Sequence, residues 1–136
     1  MLTYRIDGGS RGNPGPAGYG VVVSDESGAV VDTLHASLGI QTNNFAEYSG
    51  LLAALRHAQA RGERRVRVFA DSQLMVRQMQ GRYAVKSPNL RPLWEEARRL
   101  AAAIPDFAIA HVYREANRDA DRLANQAMDA AGGGRP

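Results

Sequence analysis

Four acids are placed where they could do chemistry: Asp7, Glu47, Asp71 and Asp121. Asp7 closes an apolar alternating run and is followed by the glycine-rich stretch Gly8-Gly9-Ser10-Arg11-Gly12-Asn13-Pro14-Gly15-Pro16. An ionised carboxylate buried without a partner costs several kcal/mol, so Asp7 needs a proton, a hydrogen-bond partner or a cation. Ordinary roles compete for the other three. Glu47, three residues after Asn44, fits a capping box, Asp71 a helix N-cap, and Asp121 the dipole of the helix that follows Asn117. If instead the four meet within a few ångströms, mutual repulsion raises their pKa values unless cations neutralise them. Two Mg²⁺ ions about 4 Å apart supply that charge and can clamp the attacking and leaving oxygens of a phosphodiester. The chain has no cysteine, and oxygen donors alone favour Mg²⁺ or Mn²⁺ over Zn²⁺.

Whether the acids meet depends on the elements that carry them. Residues 3–7 alternate as a first strand, 19–24 form a second and 29–38 a third, with turn chemistry at Glu26-Ser27-Gly28, so the three read as an antiparallel meander. From Phe45 the period becomes helical, with Asn44 as N-cap and Arg61-Gly62 as the stop. Residues 66–69 form a fourth strand ending at Asp71, 72–80 a helix stopped by Gly81, and 81–92 a basic and polar connection. An amphipathic helix follows from Leu93 to Ala101, then a strand through Phe107, Ile109, His111 and Tyr113, then a helix capped by Asn117. The pattern predicts an α/β fold, a mixed sheet with helices on its faces and strands four and five parallel to strand one. Strand ends and helix starts then share the carboxyl edge of the sheet, where ligand sites form, and all four acids fall there.

With 136 residues the chain suits one domain, which would bury roughly two thirds of its unfolded surface. We expect that domain to occupy residues 1–130, with 131–136 as a flexible tail. Absence of cysteine excludes disulfides and thiolate metal sites, and no apolar run is long enough to span a bilayer. Met1-Leu2-Thr3-Tyr4-Arg5 lacks signal-peptide character, so the expectation is a complete, cytoplasmic, monomeric chain. A net charge of +3 favours a polyanionic partner only weakly. Gly8 to Pro16 is neither a phosphate-binding Walker loop nor a dinucleotide fingerprint, because it leads into a strand. Its glycines let the backbone approach a ligand closely. His111 reads as structural by its alternation with Phe107 and Ile109, and His35 and His57 have no evident partner.

Four blocks in order carry a resemblance: Asp7 to Gly20, Thr42-Asn43-Asn44-Phe45-Ala46-Glu47-Tyr48, Asp71-Ser72-Gln73, and Asn117 to Asn125. On these the chain resembles type 1 ribonuclease H, over residues 1 to about 130. The resemblance implies a five-stranded sheet in the order 3-2-1-4-5 and hydrolysis of the RNA strand of RNA/DNA hybrids, leaving 5′-phosphate and 3′-hydroxyl ends. It implies that Asp7, Glu47, Asp71 and Asp121 are both catalytic and metal-binding. Asp7 would bridge two Mg²⁺ ions (Mn²⁺ substituting), with Glu47 and Asp71 completing one site and Asp121 the other, and an activated water would be the nucleophile. Gly8, Gly9, Ser10, Asn13, Asn43, Asn44 and Gln73 would read the minor groove and RNA 2′-hydroxyls, and Thr42 a phosphate of the DNA strand.

The sequence departs from the longer members of that family twice. Residues 81–92 are too few for their basic helix and loop, so hybrid affinity should be weaker and more salt-sensitive, with Arg82, Lys86 and Arg91 as partial substitutes. The segment before Asp121 reads Arg114-Glu115-Ala116-Asn117-Arg118 in place of a histidine that assists turnover, and Arg114 or Arg118 is the candidate replacement. Two other readings stay open: a non-catalytic hybrid-binding module, and a related nuclease acting on double-stranded DNA. Cleavage of RNA duplexes or RNA–DNA junctions is also undecided.

Overall fold

The computed structural model describes residues 1–132. Five strands, β1 (Leu2–Ser10), β2 (Gly15–Ser24), β3 (Val30–Gln41), β4 (Arg65–Ala70) and β5 (Asp106–His111), form one sheet in the order β3-β2-β1-β4-β5. The first three pair antiparallel, and β4 and β5 run parallel to β1, as the crossover helices require. The helices are α1 (Asn43–Ala60), α2 (Gln73–Met79), α3 (Arg91–Ala102) and α4 (Arg118–Ala131), with a 3₁₀ turn at Arg114–Ala116. The expected tail at 131–136 thus loses Ala131 to α4, and residues 133–136 of it lie outside the described residues.

Alternation along β1 sends Tyr4 and Ile6 into the main core with Tyr48, Leu51 and Leu55 of α1 and Val66 and Val68 of β4. Asp7 and Gly9 point to the opposite face, which α4 covers through Ala120, Ala124, Ala127 and Met128. Small residues there let helix and sheet meet at backbone distance: a Cβ added at Gly20, which pairs with Asp7, would lie 2.5 Å from Leu123 Cβ and 2.6 Å from the Ala120 carbonyl oxygen.

Several boundaries differ from those read in the sequence, for local reasons. β1 runs on through Gly8, Gly9 and Ser10, and β2 starts at Gly15, because the two strands hydrogen-bond across their glycines and need no side chains to pair. Thr42, not Asn44, caps α1, its hydroxyl accepting from the Phe45 amide at 3.2 Å. Glu47 therefore lies beyond the first turn, and the capping-box role fails. Ser72, not Asp71, caps α2, accepting from the Met75 amide at 3.3 Å. The third helix begins at Arg91, two residues before Leu93, because Pro92 fits an opening turn, where its missing N–H removes no helical bond. Asn117 sits at the head of α4, but its side chain is buried and turned inward, donating from Nδ2 to the Ile6 carbonyl at 2.8 Å. His57 has two partners, the Tyr4 hydroxyl at Nδ1 (2.8 Å) and the Asp32 carboxylate at Nε2 (2.9 Å).

Candidate active site

Parallel pairing of β1 with β4 puts Ile6 opposite Ala70, so Asp7, within β1, and Asp71, just past the end of β4, lie side by side. Gly8 brings in the third acid. A Cβ there would lie 2.5 Å from the Ala46 carbonyl, so only glycine lets the first turns of α1 press against β1 and deliver Glu47. Asp121 arrives from the other face, one turn into α4, with its amide bonded to the Asn117 carbonyl at 3.0 Å while the Asn117 side chain is tied to Ile6. Two faces of the sheet thus meet at its carboxyl edge, around a cavity of about 660 Å³ lined by all four acids.

The acids perturb one another. Asp7 is pushed up to about 8, first by burial, then by the charges of Asp71 and Asp121, both within hydrogen-bonding reach. Burial lifts Glu47 to about 7, opposed by the neighbouring Ser72 hydroxyl and reinforced by Asp71. Among the described residues no lysine touches the group, and the one arginine that does, Arg114, reaches Asp121 Oδ1 at 3.4 Å from an exposed position. Among the described residues no three acid or histidine side chains surround a single point as a closed metal site does. They abut one another instead, an arrangement that needs either a shared proton or a cation between them. The donor set is all oxygen, as Mg²⁺ or Mn²⁺ prefers.

Next to the acids, the start of α1 and the glycine loop are stitched together. Asn43 Oδ1 accepts from the Ser10 amide (2.7 Å) and hydroxyl (3.0 Å), and the Asn43 amide donates to Asn13 Oδ1 at 3.0 Å. Both carboxamides are thereby oriented with Nδ2 free to donate. Gly8, Gly9, Ser10 and Asn43 line the cavity, whereas Asn13, Thr42, Asn44 and Gln73 stand outside its lining and are exposed. The two candidate arginines separate. Arg114 lines the acidic cavity; Arg118 lines another, of about 440 Å³, with Arg5 and Ser24.

Sequence reasoning missed part of the wall. His111, read as structural, is the last residue of β5, pairs with Ala70 and lines the cavity edge to face with the exposed Tyr113. The strand-end rule that selected Asp71 applies equally to it. Arg11 and Asn125 also line the cavity; Asn125, one turn after Asp121, was detectable by its i,i+4 spacing, and Arg11 carried no signal.

Fold and site together define an α/β domain with an acid-lined cavity at the carboxyl edge of a mixed sheet. A family model described as reverse transcriptase-like matches residues 5–127. The bifunctional protein Rv2228c of Mycobacterium tuberculosis is 50% identical over 132 residues, which are 96% of this chain and 36% of that protein. The solved N-terminal ribonuclease H domain of Rv2228c, fused to maltose-binding protein, superposes with a TM-score of 0.94 at 46% identity, covering 98% of this chain and 96% of that one. Ribonuclease H1 of the halophilic archaeon Halobacterium salinarum gives 0.90 at 40% identity, covering 95% and 98%. LC11-RNase H1, solved in complex with an RNA/DNA hybrid, gives 0.90 at 42%, covering 96% and 99%. The chain belongs to the type 1 ribonuclease H family. It spans about a third of the length of the mycobacterial relatives it matches.

Proposed function

We propose that this chain is an endonuclease that hydrolyses the RNA strand of RNA/DNA hybrids with two divalent ions, leaving 5′-phosphate and 3′-hydroxyl ends. The observation that carries the reading is the gathering of Asp7, Glu47, Asp71 and Asp121 on one cavity, with pKa values raised for Asp7 and Glu47 and, among the described residues, no buried cation to offset them. A module that only bound hybrids would gain nothing from such repulsion. Family membership and the hybrid complex of LC11-RNase H1 support the substrate class.

Asp7, central to the cluster, would face both ions, with Glu47 and Asp71 toward one and Asp121 toward the other. When bound, Mg²⁺ or Mn²⁺ supplies charge neutralisation at the scissile phosphate and activation of the attacking water. The protein's part is positional. Asp7 and Asp71 are held by the strand register, Glu47 by the close contact at Gly8, and Asp121 by the anchorage of α4 to β1. The oriented Nδ2 groups of Asn13 and Asn43, the Ser10 hydroxyl and the exposed Asn44 and Gln73 amides offer donors and acceptors to RNA 2′-hydroxyls, with Thr42 toward the DNA backbone. Arg114, beside Asp121, is better placed than Arg118 to assist turnover.

Along α2, α3 and the segment joining them, Arg77 stacks on Tyr83, and Arg91 and Arg98 on Trp94. With Arg82 and Lys86 these form a short basic surface for the backbone of the duplex. No helix among the described residues is long and apolar enough to cross a membrane. We place the protein in the cytoplasm as a monomer. The test is cleavage of matched RNA/DNA hybrid, DNA duplex and RNA duplex by wild type and Asp71→Asn, with Mg²⁺, Mn²⁺ or EDTA. Metal-dependent cutting of the hybrid's RNA strand, lost in the variant, is the expected result. Equal binding by both proteins with no cutting favours the binding module, and preferential cutting of DNA duplex favours the other nuclease class.

A further inference from the structure

Asp121 is the acid with the most elaborate local support, and that support leads back to the glycine loop. Asn125, one helical turn on, directs Nδ2 to the Asp121 carbonyl oxygen at 2.9 Å and to its carboxylate Oδ2 at 3.3 Å. Its other end, Oδ1, accepts from Arg11 Nη2 at 3.0 Å. A guanidinium has only donors, so the amide has one workable orientation: oxygen toward Arg11, nitrogen toward Asp121. Arg11 is itself constrained. Its amide donates to the Pro16 carbonyl at 2.8 Å, the loop folds back so tightly that a Cβ at Gly15 would lie 1.8 Å from the Arg11 carbonyl oxygen, and Asp129 holds the guanidinium at 3.0 Å. Asp121 Oδ2 is thereby engaged, and Oδ1 is left on the Arg114 side of the cavity.

We propose that Arg11 and Asn125 are positioning residues for Asp121, coupling the glycine loop to cation binding at that carboxylate; this rests on the ribonuclease reading. Without Arg11 the Asn125 Oδ1 loses its donor and the side chain is held only by its Nδ2 bonds to Asp121, so the carboxylate it positions is less firmly held. The coupling is reciprocal. Arg11 directly follows Gly8, Gly9 and Ser10 at the end of β1 and lies two residues before Asn13, so a hybrid held by these residues strengthens the ion at Asp121, and an ion there strengthens hybrid binding.

The test is Mn²⁺ binding to the full chain without nucleic acid, followed by electron paramagnetic resonance and calorimetry, in wild type, Arg11→Met, Arg11→Lys, Asn125→Ala and the Arg11→Met/Asn125→Ala double variant. Melting in EDTA checks that each is folded. Arg11→Met and Asn125→Ala should each weaken one of the two Mn²⁺ sites about tenfold, the scale of partners that orient a metal ligand. The double variant should lose no more than Asn125→Ala alone, and Arg11→Lys should recover part of the affinity. Unchanged Mn²⁺ affinity in Arg11→Met, or a double variant that multiplies the two single losses, overturns the proposal and reduces Arg11 to an exposed ion pair with Asp129. If wild type binds two Mn²⁺ ions and cuts hybrid while Arg11→Met binds them equally well, the positioning role alone falls. If wild type neither binds Mn²⁺ nor cuts hybrid, the ribonuclease reading falls with it.

Discussion

Removing the charge at the centre of the acid cluster should make the metal-free protein more stable and leave it inactive. Asp7 is held at about 8 against an ordinary 3.8, so between those values the native state binds a proton that the unfolded chain does not. Stability therefore falls as pH rises through that window, because the unfolded state is the one that ionises freely. At about 1.4 kcal/mol per pH unit, the interval from 3.8 to 7 corresponds to at most roughly 4 kcal/mol. Water at the open mouth of the cavity screens part of that, and about 1–2 kcal/mol is the figure expected for Asp7→Asn at pH 7. In a domain of this size that raises the melting temperature by about 4–8 °C. The assay is thermal unfolding by circular dichroism in EDTA at pH 4, 6 and 8, for wild type and variant. The advantage of the variant should be near zero at pH 4, grow to pH 8 and level off above it. Saturating Mg²⁺ should reverse the order, since an ion bound at 100 times its Kd adds about 2.7 kcal/mol to wild type. A variant less stable than wild type in EDTA at pH 8, or an advantage equal at pH 4 and 8, refutes the reasoning.

Other substitutions probe the scaffold. Gly20→Ala forces a methyl to within 2.5 Å of Leu123 Cβ, so α4 must lift from β2; about 1–3 kcal/mol of stability and a larger share of activity than of hybrid binding should be lost, read by urea unfolding and kinetics. Tyr48→Phe removes the 2.7 Å bond from the buried Tyr48 hydroxyl to Gln78 Oε1, and the stranded acceptor should cost about 1–3 kcal/mol in the same unfolding assay with little change in Mn²⁺ affinity. Thr42→Ala deletes the α1 cap and should cost about 1 kcal/mol in thermal unfolding. On the basic surface, Arg82→Ala should weaken hybrid binding and lower the slope of log affinity against log salt by about one, measured by fluorescence anisotropy; an unchanged slope removes Arg82 from the duplex contact.

Much of this architecture is legible in the sequence because hydrophobic period and strand-end position are local properties. Alternation in β1 and β5, the helical stripe from Phe45 and the crossover rule are enough for a mixed sheet with Asp7, Glu47, Asp71 and Asp121 on one edge. The cap assignments failed at Asn44 and Asp71 because neighbouring side chains, Thr42 and Ser72, compete for the same amides, and only geometry ranks them. That failure strengthens the site, since the two bland explanations of Glu47 and Asp71 went with it.

What the sequence determined by itself is the set of four acids, their order and the elements that bear them. Tertiary structure decided what those elements bring close. The approach of α1 at Gly8 and of α4 at Gly20 depends on surfaces far apart in the chain, and so do the placing of His111 and Arg114 in the cavity wall and the exclusion of Arg118 from it. The link from Arg11 to Asp121 through Asn125 spans more than a hundred residues and has no local signature, because a hydrogen bond between a loop and a helix follows from packing and not from period.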